Sequence, residues 1–313
     1  MTKLKFQDDG TFTIVQFTDL HWKNGEQADL QTYSLMKNIL QAEMPELVIF
    51  TGDVIHSEEC ISPKESYMDA IKIAEELSIP WAAVFGNHDA EQGCSKEELI
   101  SLQQRFPFCL TKKGPELDNR YGNCVLEIGS KNSTSPAAAL YLLDSGSHST
   151  HPIGGYEWIT PRQISWYQQQ SQRLTGQNNG LPLPSLAFFH IPLPEYNEVW
   201  NYHRCYGHNY EGMGCPKVNS GLFTAFLEMN DVRGVFVGHD HINDFWGELH
   251  SINLYYGRAT GYNSYGKEGF ARGARIIQLT EGEQHVQSWL RLDDGSVIIN
   301  QPEHLPEHVW RRV

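Results

Sequence analysis

Short apolar runs recur along the first ninety residues, and each gives way abruptly to a polar cluster. Thr11 to Thr18 alternates and is rich in β-branched and aromatic residues, which predicts a strand; it ends at Asp19-Leu20-His21. Leu47 to Phe50 is continuously apolar, a pattern that fits a buried strand and, on periodicity alone, a buried helical segment. Gly52-Asp53 follows it. Trp81 to Phe85 is a third such run and leads straight into Gly86-Asn87-His88-Asp89. Between the runs the spacing turns helical. Ala28 to Glu43 carries Leu30, Tyr33, Met36, Ile39 and Leu40, and Pro63 to Leu77 carries Tyr67, Ala70, Ile71 and Ala74. Pro45 and Pro80 stop these helices. Strands alternating with helices predict βαβ units and a parallel sheet.

The later pattern is less regular. Ser95 to Phe106 reads as a helix with Ser95 as its N-cap, and Pro161 to Leu174 as a helix with proline in its first turn. Asn123 to Ile128, Ala138 to Leu143, Ser185 to Phe189 and Val232 to Val237 read as strands; the last three end at Asp144, His190 and Gly238-His239-Asp240-His241. Ser220 to Met229 is helical. Leu254 to Tyr256, Ala274 to Leu279 and His285 to Leu290 suggest an antiparallel finish. Glu195 to Lys217 is rich in aromatics, Gly and His without a period, and such a segment is functional or disordered; its aromatic content argues for order. No repeat or linker divides the chain, so a single domain over residues 1–300 with a tail at 301–313 is expected.

Composition narrows the partners. The 313 residues carry a formal charge of −14, which disfavours duplex nucleic acid but leaves room for a small anion beside a bound metal. The start of the chain lacks a signal-peptide pattern and no apolar stretch reaches membrane-spanning length, so a soluble cytoplasmic protein without membrane contact is expected. The six cysteines form no C-x-x-C pattern. Reduced thiols are the expectation, with Cys205 and Cys215 close enough in sequence to pair under oxidation.

Five predicted strands end in metal-type ligands: Asp19 and His21, Asp53, Asn87 beside His88, His190, and His239 with His241. Each alone fits a turn or a core histidine; five together point to one site. Oxygen and imidazole donors without thiolate suit Mn, Fe or Zn. Seven ligands exceed one tetrahedral ion and suit two ions sharing a carboxylate, a pair able to hold a nucleophilic hydroxide and clamp a phosphoryl group.

Asp19-x-His21, Gly52-Asp53, Gly86-Asn87-His88-Asp89, His190 and Gly238-His239-Asp240-His241 resemble the motifs of the calcineurin-like metallophosphoesterases. Leu142 to Gly146, Gly238 to Phe245, Tyr256 to Tyr262 and Arg272 to Arg275 further resemble the branch of purple acid phosphatase 29 and Dcr2. The resemblance implies an α/β fold, a four-layer α/β/β/α sandwich of two mixed sheets flanked by helices. It implies that Asp19, His21, Asp53 and His241 hold one metal and that Asp53, Asn87, His190 and His239 hold the other. His88 would assist the leaving group or the developing charge. Purple acid phosphatases carry a tyrosine where this chain has His56, and they lack the histidine found here at position 21. His56 is thus left without an assigned role, a neighbour of the site or a plain turn residue.

The expected activity is hydrolysis of phosphomonoesters by a hydroxide held between two metals. A phosphodiesterase acting on small nucleotide or head-group diesters, and an inactive protein-binding scaffold, are the alternatives. Asp144 reads either as a partner of a ligand or as a turn residue. Arg258, Arg272 and Arg275 suit a substrate phosphate or surface ion pairs, Arg258 foremost as the substrate-binding candidate. Trp200 to Tyr210 reads as a lid or as core packing.

Overall fold

A computed structural model describes residues 4–306. In chain order the elements are β1 (Thr11–Phe17), α1 (Gln27–Glu43), β2 (Leu47–Thr51), α2 (Pro63–Glu76), β3 (Trp81–Val84), α3 (Lys96–Gln103), β4 (Cys124–Gly129), β5 (Pro136–Leu142) and α4 (Pro161–Gln177). There follow β6 (Ser185–Phe188), α5 (Glu195–Tyr202), β7 (Cys205–Tyr206), α6 (Leu222–Met229), β8 (Val232–Val237), β9 (Trp246–Leu249), β10 (Ile252–Tyr256), β11 (Gly273–Thr280), β12 (Gln287–Leu292), β13 (Val297–Ile298) and β14 (Glu303–His304).

The strands form two mixed sheets, ordered β13-β12-β11-β1-β2-β3 and β14-β7-β9-β10-β8-β6-β5-β4. Successive side chains of a strand face opposite ways, and that alternation sorts the core into three layers. Phe12 and Ile14 of β1, Ile49 of β2, Leu140 of β5, Phe188 of β6 and Phe236 of β8 meet between the sheets. Phe188 and Phe236 stack there with ring centroids 5.1 Å apart; truncating such a buried ring costs about 3–5 kcal/mol. Val15, Phe17, Val48 and Phe50 point the other way, against α1, α2 and α3. Tyr141, Ala187, Val235 and Leu254 pack on α4, α5 and α6. Helix, sheet, sheet and helix are the four layers expected.

Local chemistry sets the helix starts. Ser95 Oγ accepts the Glu98 N–H and the Glu98 carboxylate accepts the Ser95 N–H, closing a capping box at α3. Thr160 and Gln163 repeat the device at α4, where Pro161 occupies the first turn.

Some expectations are corrected. The antiparallel finish is divided between the sheets: β10 runs antiparallel to β9 but parallel to β8 in the larger sheet, while β11 and β12 run antiparallel beside β1. The aperiodic segment after Glu195 contains α5 and the short β7, too brief to show a period. β9 was not foreseen, because its four residues Trp-Gly-Glu-Leu carry weak strand propensity and pairing with β10 and β7 decides its state. Gln301 and β14 join the larger sheet region, β14 pairing with β7; residues 307–313 of the expected tail lie outside the described residues.

Candidate metal centre

Five strand ends converge on one rim. β1, β2 and β3 are parallel neighbours, so Asp19 with His21, Asp53, and Asn87 with His88 leave the smaller sheet side by side. β6 and β8 are parallel neighbours in the larger sheet and lead to His190 and to His239 with His241. Backbone hydrogen bonds tie these loops together: Asp19 N–H to Gly52 O at 3.1 Å, His21 N–H to Asp53 O at 2.9 Å and Gly238 N–H to His190 O at 3.1 Å. The His239 N–H crosses between the sheets and donates to both Asp19 carboxylate oxygens, each at 3.1 Å.

The rim is built from unusual backbone. Asp19 (φ 53°), His21 (46°), Asp53 (49°) and His239 (79°) all lie in the left-handed region, which costs a non-glycine residue roughly 1–3 kcal/mol where the surroundings enforce it. Glycines supply the closest approaches. A Cβ on Gly86 would stand 2.1 Å from Asp53 Oδ1, and one on Gly238 would stand 1.9 Å from Thr18 Oγ1.

The ligand-type atoms form two groups. Asp19, His21, Asp53 and His241 make one, and Asp53, His190 and His239 the other; within each group every residue offers an atom within 4.8 Å of the rest. Asp53 is common to both. In the first, His21 Nε2 faces His241 Nε2 at 3.1 Å and lies 3.6 Å from Asp53 Oδ2, with His241 Nε2 3.5 Å from Asp19 Oδ1. In the second, His190 Nε2 is 3.1 Å from Asp53 Oδ2 and 3.2 Å from His239 Nδ1. Ligands about 2.1 Å from one tetrahedral ion stand roughly 3.4 Å apart, so these separations suit a shared ion. Asn87, directly before the His88 N–H that donates to Asp53, is buried, and its Oδ1 has no hydrogen-bond partner. A buried acceptor left open costs about 1–3 kcal/mol, and a cation would satisfy it.

Charge follows the same logic. Burial pushes His21 and His239 down to about 3, so both rings keep free lone pairs. Burial opposes ionisation of Asp19, yet His241 and His190 outweigh it and bring the carboxyl to about 2. Asp53 is likewise held well below the carboxylate range, burial being outweighed by His190 and His21. Burial disfavours charge on His190, but Asp53 raises its ring to about 9. The positive charge that Asp53 draws onto His190 is one a divalent ion would supply instead, displacing the proton. His190 Nδ1 is fixed by Thr51 O at 2.8 Å, which leaves Nε2 for the site.

The other expected residues fall around this centre. His88 N–H donates to Asp53 Oδ1 at 2.8 Å, and its Nδ1 is 2.9 Å from Glu91 Oε2. The His56 ring lies 4.5 Å from that of His88. Asp144 binds Lys96 Nζ at 2.7 Å and the Tyr121 N–H at 3.0 Å. Arg258 is buried, paired with the Asp244 carboxylate, donating to Ala271 O and lying 3.2 Å above the Phe270 ring. Arg275 reaches Tyr256 O and Asp244 O, and Arg272 reaches Ser264 O and Tyr265 O. In the aromatic segment, Trp200 stacks on His304 at 3.7 Å and Tyr206 on Trp246 at 4.9 Å, which is packing. All six thiols are free.

Several contributors were missed. Asp89 accepts from the N–H groups of Asp53, Ile55 and Gly86, and burial and then Asp53 push its carboxyl up to about 6. Its position directly after His88 was the available signal. Tyr156 stands edge-on to His239 at 4.3 Å, and Tyr265 stacks on His241 at 4.1 Å; neither lies within a motif in sequence.

Known proteins share this architecture. The chain is 35% identical to the Arabidopsis thaliana protein named "Probable inactive purple acid phosphatase 29", over 96% of this chain and 87% of that one. It is 34% identical to the Saccharomyces cerevisiae "Phosphatase DCR2", over 93% of this chain and 55% of that protein. A crystal structure of a dimetal phosphatase from Danio rerio superposes with a TM-score of 0.54 at 14% identity, covering 88% of this chain and 98% of that one, a likeness of fold. The model of the calcineurin-like phosphoesterase family matches residues 12–243, from β1 to just past His241. The chain belongs to the calcineurin-like phosphoesterase family.

Proposed function

We propose that this protein is a dinuclear metal-dependent phosphoesterase that hydrolyses phosphomonoesters. The observation that carries the reading is Asp53, common to two groups of buried ligand-type side chains; the buried Asn87 Oδ1, left without a hydrogen-bond partner, supports it. Asp19, His21, Asp53 and His241 would hold one ion, and Asp53, Asn87, His190 and His239 the other. The nitrogen and oxygen donors suit Mn, Fe or Zn. Two such ions supply Lewis acidity, making water nucleophilic and neutralising phosphoryl oxygens.

The chain's own groups do the rest. Asp89 clamps the Asp53 and Gly86 backbone and so fixes the shared carboxylate. Glu91 holds His88 through Nδ1; burial opposes charge on the ring, but Asp53 and then Glu91 outweigh it and favour the protonated form, which leaves Nε2 with a proton for the leaving oxygen. A small phosphorylated substrate suits this rim. A cytoplasmic setting is part of the reading and is supported by the free thiols; no helix among the described residues is long and apolar enough to cross a membrane.

A second reading, a scaffold without catalysis, is favoured by the word "inactive" in the names of relatives. Chelation separates the two. Metal-stripped protein should lose hydrolysis of p-nitrophenyl phosphate and regain it with Mn²⁺ or Fe²⁺, with bis(p-nitrophenyl) phosphate the poorer substrate. Full activity in protein shown metal-free by elemental analysis would falsify the dinuclear mechanism, and a reconstituted protein inert on both esters would favour the scaffold.

A further inference from the structure

A second set of ligand-type side chains stands next to the rim and shares no residue with the two groups around Asp53. His56, His88 and Glu91 each offer an atom, and these atoms lie within 4.8 Å of one another. His88 Nδ1 and Glu91 Oε2 are already 2.9 Å apart, and the His56 ring lies 4.5 Å from the His88 ring. Glu59 Oε1 stands 3.4 Å from His56 Nδ1. All three side chains are partly exposed, so an ion can reach them from solvent.

The two loops that carry these groups are bonded to each other. Ser57 donates to His88 O through its N–H at 3.0 Å and its Oγ at 2.7 Å, and that Oγ accepts the Glu91 N–H at 2.9 Å. Asp89, between His88 and Glu91, accepts the N–H groups of Asp53 and Ile55. The loops that carry the donors are therefore held in place before any ion arrives, which lowers the ordering cost of binding. Two imidazoles and one carboxylate with an open fourth position form a zinc ligand set. The surplus negative charge of the chain favours cations near it.

We propose that His56, His88 and Glu91 bind a third divalent transition-metal ion, zinc foremost, and that this ion inhibits the enzyme by withdrawing His88. An ion held by this group would occupy a nitrogen of His88 and tie the ring to His56 and Glu91, so the ring would no longer be free to serve the leaving oxygen. Three partly exposed ligands bind more weakly than the buried groups, so inhibition sets in only after the rim is filled. The kinetic consequence rests on the role proposed for His88; the binding site does not.

The test is a Zn²⁺ titration of chelator-treated protein, with bound ions counted by equilibrium dialysis and elemental analysis and hydrolysis of p-nitrophenyl phosphate followed on the same samples. Wild type should bind three ions per chain and show a rate that rises and then falls. His56→Phe keeps a ring against His88 and removes its nitrogens. It should bind one ion fewer, keep the maximal rate, and need at least about tenfold more zinc for half-inhibition, the least that losing even an outer partner costs a metal site. His56→Gln provides the same comparison should the phenylalanine disturb the loop. Equal ion counts and equal half-inhibitory zinc in wild type and both variants overturn the proposal. One ion in wild type and none in the variants supports this site and removes the dinuclear centre; two ions in all three, with activity, does the reverse.

Discussion

Two buried polar clusters lie close together in this fold and obey opposite rules. Around Asp19 and Asp53, carboxylates and imidazoles crowd with acceptors to spare, and both Asn87 Oδ1 and His241 Nδ1 are buried without a partner. Around Asp244, three residues beyond His241 in the chain, the buried guanidinium groups of Arg258 and Arg275 find acceptors. The Asp244 carboxylate takes Arg258, and its backbone oxygen takes Arg275 at 2.6 Å and Gln301 at 3.0 Å. Arg275 also donates to Tyr256 O at 2.6 Å and Ser288 Oγ at 3.0 Å. Among the described residues, no nitrogen of Arg258 or Arg275 is buried without a hydrogen bond. A network that closes on itself holds structure. One that leaves acceptors over carries a standing cost of about 1–3 kcal/mol for each, and an ion from outside would relieve it.

That contrast breaks most severely if Asp53 is dispensable. Asp53→Asn should reduce hydrolysis to the uncatalysed rate and leave the protein without tightly held ions, while it still melts in one transition. Two ions retained per chain in elemental analysis would refute the shared-carboxylate assignment.

His88→Ala sharpens the boundary of the open cluster. It should keep the two ions of the groups around Asp53, because His88 belongs to neither, yet lose about 10²–10⁴ in kcat, the range of a general acid. The loss should be greater for alkyl phosphates than for p-nitrophenyl phosphate, whose leaving group needs little protonation. An equal drop on both would assign His88 to charge stabilisation, and an unchanged kcat would remove it from the mechanism.

Arg258→Ala probes the closed cluster. It strands the buried Asp244 carboxylate and should destabilise the fold by about 3–5 kcal/mol, read by denaturant unfolding, with ion content unchanged. The sequence suggested instead that Arg258 meets the substrate phosphate. A large rise in KM with little change in stability would restore that role.

The two clusters also differ in how far the sequence revealed them. The ligand-type residues stand in short motifs at the ends of apolar runs, so their strands and their chemistry were legible together. Their backbone was not: nothing in the letters of Asp19, His21 or Asp53 announces a left-handed φ, which follows from the crowding of loops drawn from both sheets. Arg258 could not be placed either, because its partners Asp244 and Phe270 come from separate turns whose meeting depends on the tertiary fold. Glu91 stands only three residues from His88, but its contact is a product of the turn that Ser57 and Asp89 hold. The parallel pairing of β10 with β8 was not legible for a related reason, since strand propensity carries no information about which neighbour a strand will choose.

The hydrogen bond from the His239 N–H to Asp19 has a mechanical side. The two sheets face each other through apolar side chains, and such packing is non-directional, so it resists separation better than sliding. At the rim the contact is directional, with Asp19 from one sheet fastened to His239 from the other. Ions bound there would add further bonds from each sheet to a common point and act as rivets across the seam. Shear of the sandwich would then pull directly on the ligand set, and filling the centre would stiffen the whole molecule.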